Sequence, residues 1–324
     1  MTYGMTIPLP GIPLWRQRDL IAELPGLGYT SVWSAEAGGA DAFTPLALAS
    51  AWAPQLRLGT AIVPAFTRGA ATLAQSCAAL ADAAPGRVSI GLGTSTEIIV
   101  RNWNGLPFTA PYARVRDTLR FLRTALTGQR VDQQYETFSV TGFRLQLVPE
   151  QPPRLLVAAL RPGMLRLAGA EADGAILNWL AASDVATVTP YVHAGGDGKE
   201  IAARIFVVVD DDPQRARATA RPLISAYLNV DVYRRFHQWL GRGEALAGMW
   251  QAWADGDRRA AVAAIPDEVV DDLVVHGSPE QCRAHIQRYL DAGVDTVTLA
   301  LVPSPGGPPL PELTRAVAPV SPPG

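Results

Sequence analysis

Few side chains in this 324-residue chain stand where they could do chemistry. At the ends of its apolar segments they are Glu36, Thr94-Ser95, Arg161-Pro162-Gly163-Met164 and Asn178, with Trp103-Asn104-Gly105 in the loop just beyond one of them. Asp212 is explained as the N-cap of a helix opening at Pro213, so Glu36 is the only prominent carboxylate. One acid cannot run two-carboxylate glycoside hydrolysis, but it can donate a proton, and Glu36 is the candidate donor. The Arg161 turn suits an anion. Pro and Gly at a helix start leave N–H groups open, the helix dipole favours negative charge, and Arg161 adds a charged donor. Taken alone, this motif reads by default as an ordinary strand–helix turn.

Other chemistries are excluded by residue type. None of the four histidines falls at a strand end, so no metal centre is expected, and His193, His237, His276 and His285 read as surface or packing residues. Cys77 and Cys282 lie far apart, which removes a disulfide scaffold and a thiolate zinc site. Lys199 is the only lysine among 28 basic residues and sits in a polar run, a poor place for a Schiff base. A net charge of -2 asks for neither nucleic acid nor an anionic membrane. No apolar run reaches the roughly 18 to 20 residues of a membrane span, and no signal peptide precedes Ile7-Pro8, so a cytoplasmic protein is expected.

The elements that must position these residues follow from the alternation of short apolar runs with helix-period segments. Strands are predicted near 3–7, 30–35, 57–63, 88–93, 155–160, 174–178, 204–209 and 295–301. Eight strands, nearly all followed by a helix, predict an α/β fold: a closed (β/α)8 TIM barrel over residues 1–302, with chemistry at the strands' C-terminal ends. Thr44-Pro45, Asp212-Pro213 and Ser278-Pro279 read as helix starts. Residues 131–148 alternate like an inserted hairpin, and 214–276 form an insertion of several helices over the mouth. The proline-rich tail 303–324 is expected to be extended or disordered. The competing doubly wound sheet would need a G-x-G-x-x-G at its first turn, and Gly91-Leu92-Gly93 lacks the third glycine.

A mouth poor in ionisable groups, with Trp33, Trp103 and Trp179 nearby, suits a large planar cofactor that carries the chemistry itself. Trp33 serves equally well as core filler. Residues 153–180 (PRLLVAALRPGMLRLAGAEADGAILNWL) and 57–95 resemble the luciferase-like monooxygenase superfamily, especially its coenzyme F420-dependent oxidoreductase branch. Residues 30–36, 101–105 and 277–301 fit the same resemblance.

The resemblance implies F420, or alternatively FMN, at the C-terminal mouth. It implies a non-proline cis peptide at Ala61–Ile62 supporting the ring, and a phosphate on the turn Ala159, Leu160, Arg161, Pro162, Gly163 and Met164, assisted by Asn178. Glu36, Thr94, Ser95, Trp103 and Asn104 would face ring or substrate. Many members carry His after the second strand, where this chain has Glu36-Ala37-Gly38. The expected activity is hydride transfer between F420 and a small-molecule substrate by a homodimer, with the alanine-rich helix 70–84 as a candidate interface. The alternatives are an FMN-dependent monooxygenase using oxygen and a flavin-binding barrel without catalysis.

Overall fold

Apolar segments joined by crossover helices pair in parallel, because each helix returns the chain to the strand's starting end. The computed structural model describes residues 2–319. Its barrel strands are β1 (Thr2–Thr6), β2 (Ser31–Ser34), β3 (Arg57–Pro64), β4 (Val88–Gly93), β7 (Arg154–Ala158), β8 (Gly174–Asn178), β9 (Glu200–Val209) and β11 (Thr296–Leu301). Neighbours run β9-β11-β1-β2-β3-β4-β7-β8, and β8 pairs with β9 to close a parallel (β/α)8 ring. Between β4 and β7, β5 (Val131–Gln134) and β6 (Ser139–Phe143) form an antiparallel hairpin.

One strand was not predicted. β10 (Val274–Gly277) pairs with the upper half of β9, Phe206 to Val209, whose lower half pairs with β8. The edge is free because β8 ends at Asn178 and Trp179 turns away at φ 55°. Five helices fill the insertion: α7 (Pro213–Leu228), α8 (Asp231–Trp239), α9 (Ala247–Ala254), α10 (Arg258–Ala263) and α11 (Asp267–Leu273). They pack on Trp179, Phe206 and Ala300 in an apolar cluster of their own at the barrel rim.

The barrel interior is solid. Trp33, Leu156, Ile176 and Ala202 fill it, with Ala61 and Ile62 against them. Trp33 is therefore core filler, its indole N–H donating to Ser31 Oγ at 2.9 Å. Gly59 makes room for it, since a Cβ there would lie 2.1 Å from the ring. Below this layer Glu200 is buried and accepts from Arg57 at 3.1 Å, from Arg154 and from Thr296 at 2.8 Å. Two polar hollows of about 380 and 270 Å³ open on this floor beside Arg154 and Lys199. They lie at the strands' N-terminal ends, opposite the end where barrels of this type place their chemistry. The barrel floor is a plug of paired charges.

Local signals held in two cases out of three. Asp212 caps α7, accepting from Gln214 N at 2.9 Å, and Ser278 with Gln281 forms a capping box on α12 (Pro279–Asp291). At α2 (Phe43–Trp52) the predicted Thr44 is not the cap. Asp41 Oδ1 accepts from Phe43 N at 2.9 Å and Thr44 N at 3.0 Å instead. In α3 (Ala70–Ala83) Ala74, Ala78 and Ala81 are buried, so the small residues let the helix approach the barrel, and only the face containing Ala79 is open.

The tail differs from expectation. Residues 310–316 form α13 (Leu310–Ala316), because Pro309 and Pro311 fall at a helix start, where a missing N–H costs nothing. Leu310, Leu313 and Val317 are buried, and Tyr29 donates to Thr314 O at 2.8 Å. Residues 320–324 of the predicted tail lie outside the described residues.

Candidate active site

The turn predicted at Arg161 joins a strand end to a helix start. β7 ends at Ala158, Ala159 N donates to Ile176 O at 3.0 Å, and α5 (Pro162–Glu171) starts after Arg161. The N-cap offers no side-chain acceptor, and the first intrahelical bond is Leu165 N to Arg161 O at 3.0 Å. The N–H groups of Gly163 and Met164 therefore stand without a protein partner, as the first N–H groups of a helix do. A Cβ on Gly163 would meet nothing within 4 Å, so the turn is open to a ligand. Leu160 and Met164 lean on the core behind it.

Arg161 has no ion pair or hydrogen bond among the described residues. The acid nearest in sequence logic, Glu171, is held by Arg120 at 2.6 and 2.7 Å.

Across the mouth, β3 and β4 lose register between Thr60 and Val63, and the Ala61–Ile62 peptide is cis. Ile62 Cδ1 reaches to 3.0 Å of the Cβ position of Gly93, so Ile62 and the end of β4 form one wall. Thr94 and Ser95 follow, half-buried, with Ser95 at φ 61° and Thr94 Oγ1 donating to Ser95 O at 3.1 Å.

Glu36 is engaged by protein. Its carboxylate accepts from Arg68 Nη2 at 2.8 Å, Arg68 Nε at 3.1 Å, Thr67 Oγ1 at 3.3 Å and Ala42 N at 3.2 Å. Its own N–H donates to Ile62 O at 3.0 Å. The geometry makes Glu36 a brace tying the β2 loop to the β3 loop, and giving a proton to substrate requires that ion pair to open. Trp103 is 58% exposed and its ring lies against Gly38, 3.6 Å from the Cβ position there. Asn104 turns inward on its own segment, Nδ2 donating to Ile99 O at 2.7 Å. Asn104 thus fixes the loop that presents Trp103.

The two residues after β8 part company. Trp179 is 1% exposed and stacks on Phe206 at 4.2 Å and against Tyr227 at 5.1 Å, so it belongs to the core of the insertion. Asn178 faces the mouth. Its Nδ2 donates to Tyr233 Oη at 2.9 Å, while its Oδ1 is buried without a donor. Tyr233, on α8, was missed because nothing in the sequence says which part of the insertion covers the barrel. Burial pushes its hydroxyl up to about 12, so it keeps its proton, and that hydrogen is free because Oη is the acceptor from Asn178. Arg204, in the middle of β9, was also missed, since the predicted strand began at 204 and only C-terminal strand ends were read.

Three features complement a large polar ligand: donors without acceptors on the α5 turn, an unpaired Arg161 and an acceptor without a donor on Asn178. Residues of the cis Ala61–Ile62 segment, Thr94, Ser95 and the 159–164 turn could hold a phosphate-bearing ring cofactor. Among the described residues, no group of three His, Cys, Asp or Glu could hold a metal ion, and no helix is long and apolar enough to cross a membrane.

The fold is a closed parallel (β/α)8 barrel with an open helix start and an apolar segment side by side at its C-terminal mouth. The family model for luciferase-like monooxygenases matches residues 3–296, and the chain belongs to that family of enzymes. A Mycobacterium tuberculosis protein provisionally named a coenzyme F420-dependent oxidoreductase is 27% identical over 317 residues, covering 87% of this chain and 89% of its own. The 5,10-methylenetetrahydromethanopterin reductase of Methanolobus tindarius is 25% identical, with 95% of each chain covered. The solved F420-dependent tetrahydromethanopterin reductase of Methanopyrus kandleri superposes with a TM-score of 0.79 at 21% identity, covering 98% of this chain and 97% of its own.

Proposed function

We propose that this chain is an F420-dependent oxidoreductase that moves a hydride between the deazaflavin and a small organic substrate. The observation that carries the reading is the α5 turn, where open N–H groups and an unpaired arginine meet at the barrel mouth. Relatives named for F420 favour that cofactor over FMN. When bound, F420 supplies a carbon-centred hydride carrier.

The chain's own residues would do the rest. Arg161 and the N–H groups of Gly163 and Met164 hold the phosphate, with Ala159, Leu160 and Pro162 shaping the turn. Ala61 and Ile62 form the shelf under the ring, and Thr94 and Ser95 border it. Asn178 Oδ1 accepts from a ring donor. Trp103 and the insertion exclude water from above, and Glu36 holds the β2 loop in place through Arg68. Tyr233 offers the free hydroxyl hydrogen to a substrate oxygen. A cytoplasmic homodimer is part of the same reading.

Parallel equilibrium dialysis against F420 and FMN tests it. One F420 per chain should bind at least tenfold more tightly than FMN. Binding of neither at micromolar concentration overturns the proposal, and preference for FMN replaces it with the monooxygenase.

A further inference from the structure

Arg204 is a cation inside the barrel with nothing to neutralise it. Ala202 belongs to the interior cluster with Trp33, so Arg204, two residues on, faces the interior as well. Its Nε is buried without a partner, and no ion pair or hydrogen bond of its side chain is found among the described residues. The guanidinium carbon lies 4.6 Å from the ring centre of Phe206.

Two acids near the mouth are already taken. Glu36 is bound by Arg68, and Asp210, beyond the end of β9, by Arg215 at 2.6 Å.

The neighbours of Arg204 share its condition. Asn178 on β8 and Thr298 on β11 stand opposite it in register, so all three side chains project from the same face of the sheet. Thr298 Oγ1 is buried without a partner, and so is Thr6 Oγ1 on β1, two residues above the Gly4 that pairs with Thr298. Buried polar atoms are paired in the great majority of cases, because each orphan costs about 1 to 3 kcal/mol. Here a guanidinium and two hydroxyls on three adjoining strands, all able to donate, are left open together. Tyr233, bonded at 2.9 Å to the Asn178 that stands opposite Arg204, adds a fourth donor. Four donors and no acid describe an anion site.

We infer that Arg204, with Thr298, Thr6 and Tyr233, binds a carboxylate on the substrate, making the substrate an organic acid whose apolar part lies along the Phe206 side. The inference rests on the proposed hydride transfer for its role in catalysis, but the carboxylate site itself does not need F420. Arginine is the fitting residue, since its planar fork matches a carboxylate bidentately. Arg161 remains for the cofactor phosphate.

Calorimetric titration with benzoate, and with neutral benzamide as control, tests this on the F420-free and F420-loaded protein. Wild type should bind benzoate at least tenfold more tightly than benzamide. Arg204→Met should lose tenfold or more in benzoate affinity, Arg204→Lys should lose less, and both should keep F420 affinity within twofold. Circular dichroism and thermal unfolding identify a variant that fails to fold, and Arg204→Lys then carries the comparison: benzoate bound as tightly by it as by wild type contradicts the bidentate site. Equal binding of benzoate and benzamide by wild type, or benzoate binding unchanged in Arg204→Met, overturns the inference. A tenfold loss of F420 affinity in Arg204→Met also overturns it, because Arg204 then belongs to the cofactor. Benzoate binding by a protein that binds no F420 would sustain the carboxylate site while the hydride-transfer reading fails.

Discussion

Replacing Arg161 by alanine separates a cofactor-binding arginine from a surface one. Arg161 is half-buried and has no ion pair or hydrogen bond among the described residues, so its removal breaks no polar contact in the free protein, and substitutions of that kind change stability by about 0.5 kcal/mol or less. A hydrogen bond to a charged group contributes about 1.5 to 3 kcal/mol, and each 1.4 kcal/mol is about tenfold in affinity. Arg161→Ala should therefore weaken F420 binding by roughly 10- to 150-fold. The midpoint of thermal unfolding of the cofactor-free protein should stay within about 2 °C. Because the contact is electrostatic and partly exposed, the gap between wild type and variant should narrow at high salt. Titration followed by F420 fluorescence, at low and high salt, reads all of this. The competing role, an ion pair with Glu171, is already closed, since Glu171 is bound to Arg120. A dissociation constant within twofold of wild type would leave the backbone N–H groups as the only phosphate anchor and strike Arg161 from the site.

Acid should destabilise the fold through the buried His237 and the half-buried His285. Burial, with Arg242 beside it, pushes His237 down to about 3, and burial with Arg288 pushes His285 down to about 4. The unfolded chain binds protons near pH 6.5 that the folded chain refuses, so stability is lost as pH falls from about 6.5 towards 3. His237 alone accounts for a loss on the order of 4 to 5 kcal/mol at the acid end. Urea unfolding at pH 7, 5 and 4 should show this slope, and an unchanged slope in His237→Leu refutes the assignment. Gly59→Ala drives a methyl into Trp33 and should cost about 1 to 3 kcal/mol in the same assay, with a neutral result contradicting the packed interior. Light scattering should give a dimeric mass, reduced by Ala79→Arg on the open face of α3. Ala78→Arg, buried against the barrel, should instead prevent folding. A monomeric wild type rejects the dimer.

Strand positions were legible because strands buried on both faces read as short continuous apolar runs such as Val88–Gly93 and Thr296–Leu301, set off by the longer helix-period segments between them. β10 was not, because Val274-Val275-His276 is too short to stand out beside α11, and only the early end of β8 creates the edge it fills. The anion-ready turn could be read locally, since Pro162 and Gly163 act within one turn of chain. Glu36 could be located but not interpreted, because its partner Arg68 comes from another strand's loop. Trp179 and Asn178 are adjacent in sequence but face opposite sides, a split set by the positive φ of Trp179. Arg204 escaped notice because the predicted strand began at it, at the end away from the mouth, whereas β9 starts at Glu200 and carries Arg204 into the barrel. The tail misled through composition, as prolines that break helices also begin them.

The central claim is that a phosphate-bearing deazaflavin lies at the C-terminal mouth with its phosphate on the α5 turn. A crystal structure with F420 bound measures this directly. The account predicts phosphate oxygens within about 3.2 Å of the N–H groups of Gly163 and Met164, with Arg161 turned onto them and the ring against Ala61 and Ile62. A cofactor seated instead in the polar hollows by Arg154 and Lys199, or a phosphate with no contact to residues 159–164, would contradict it.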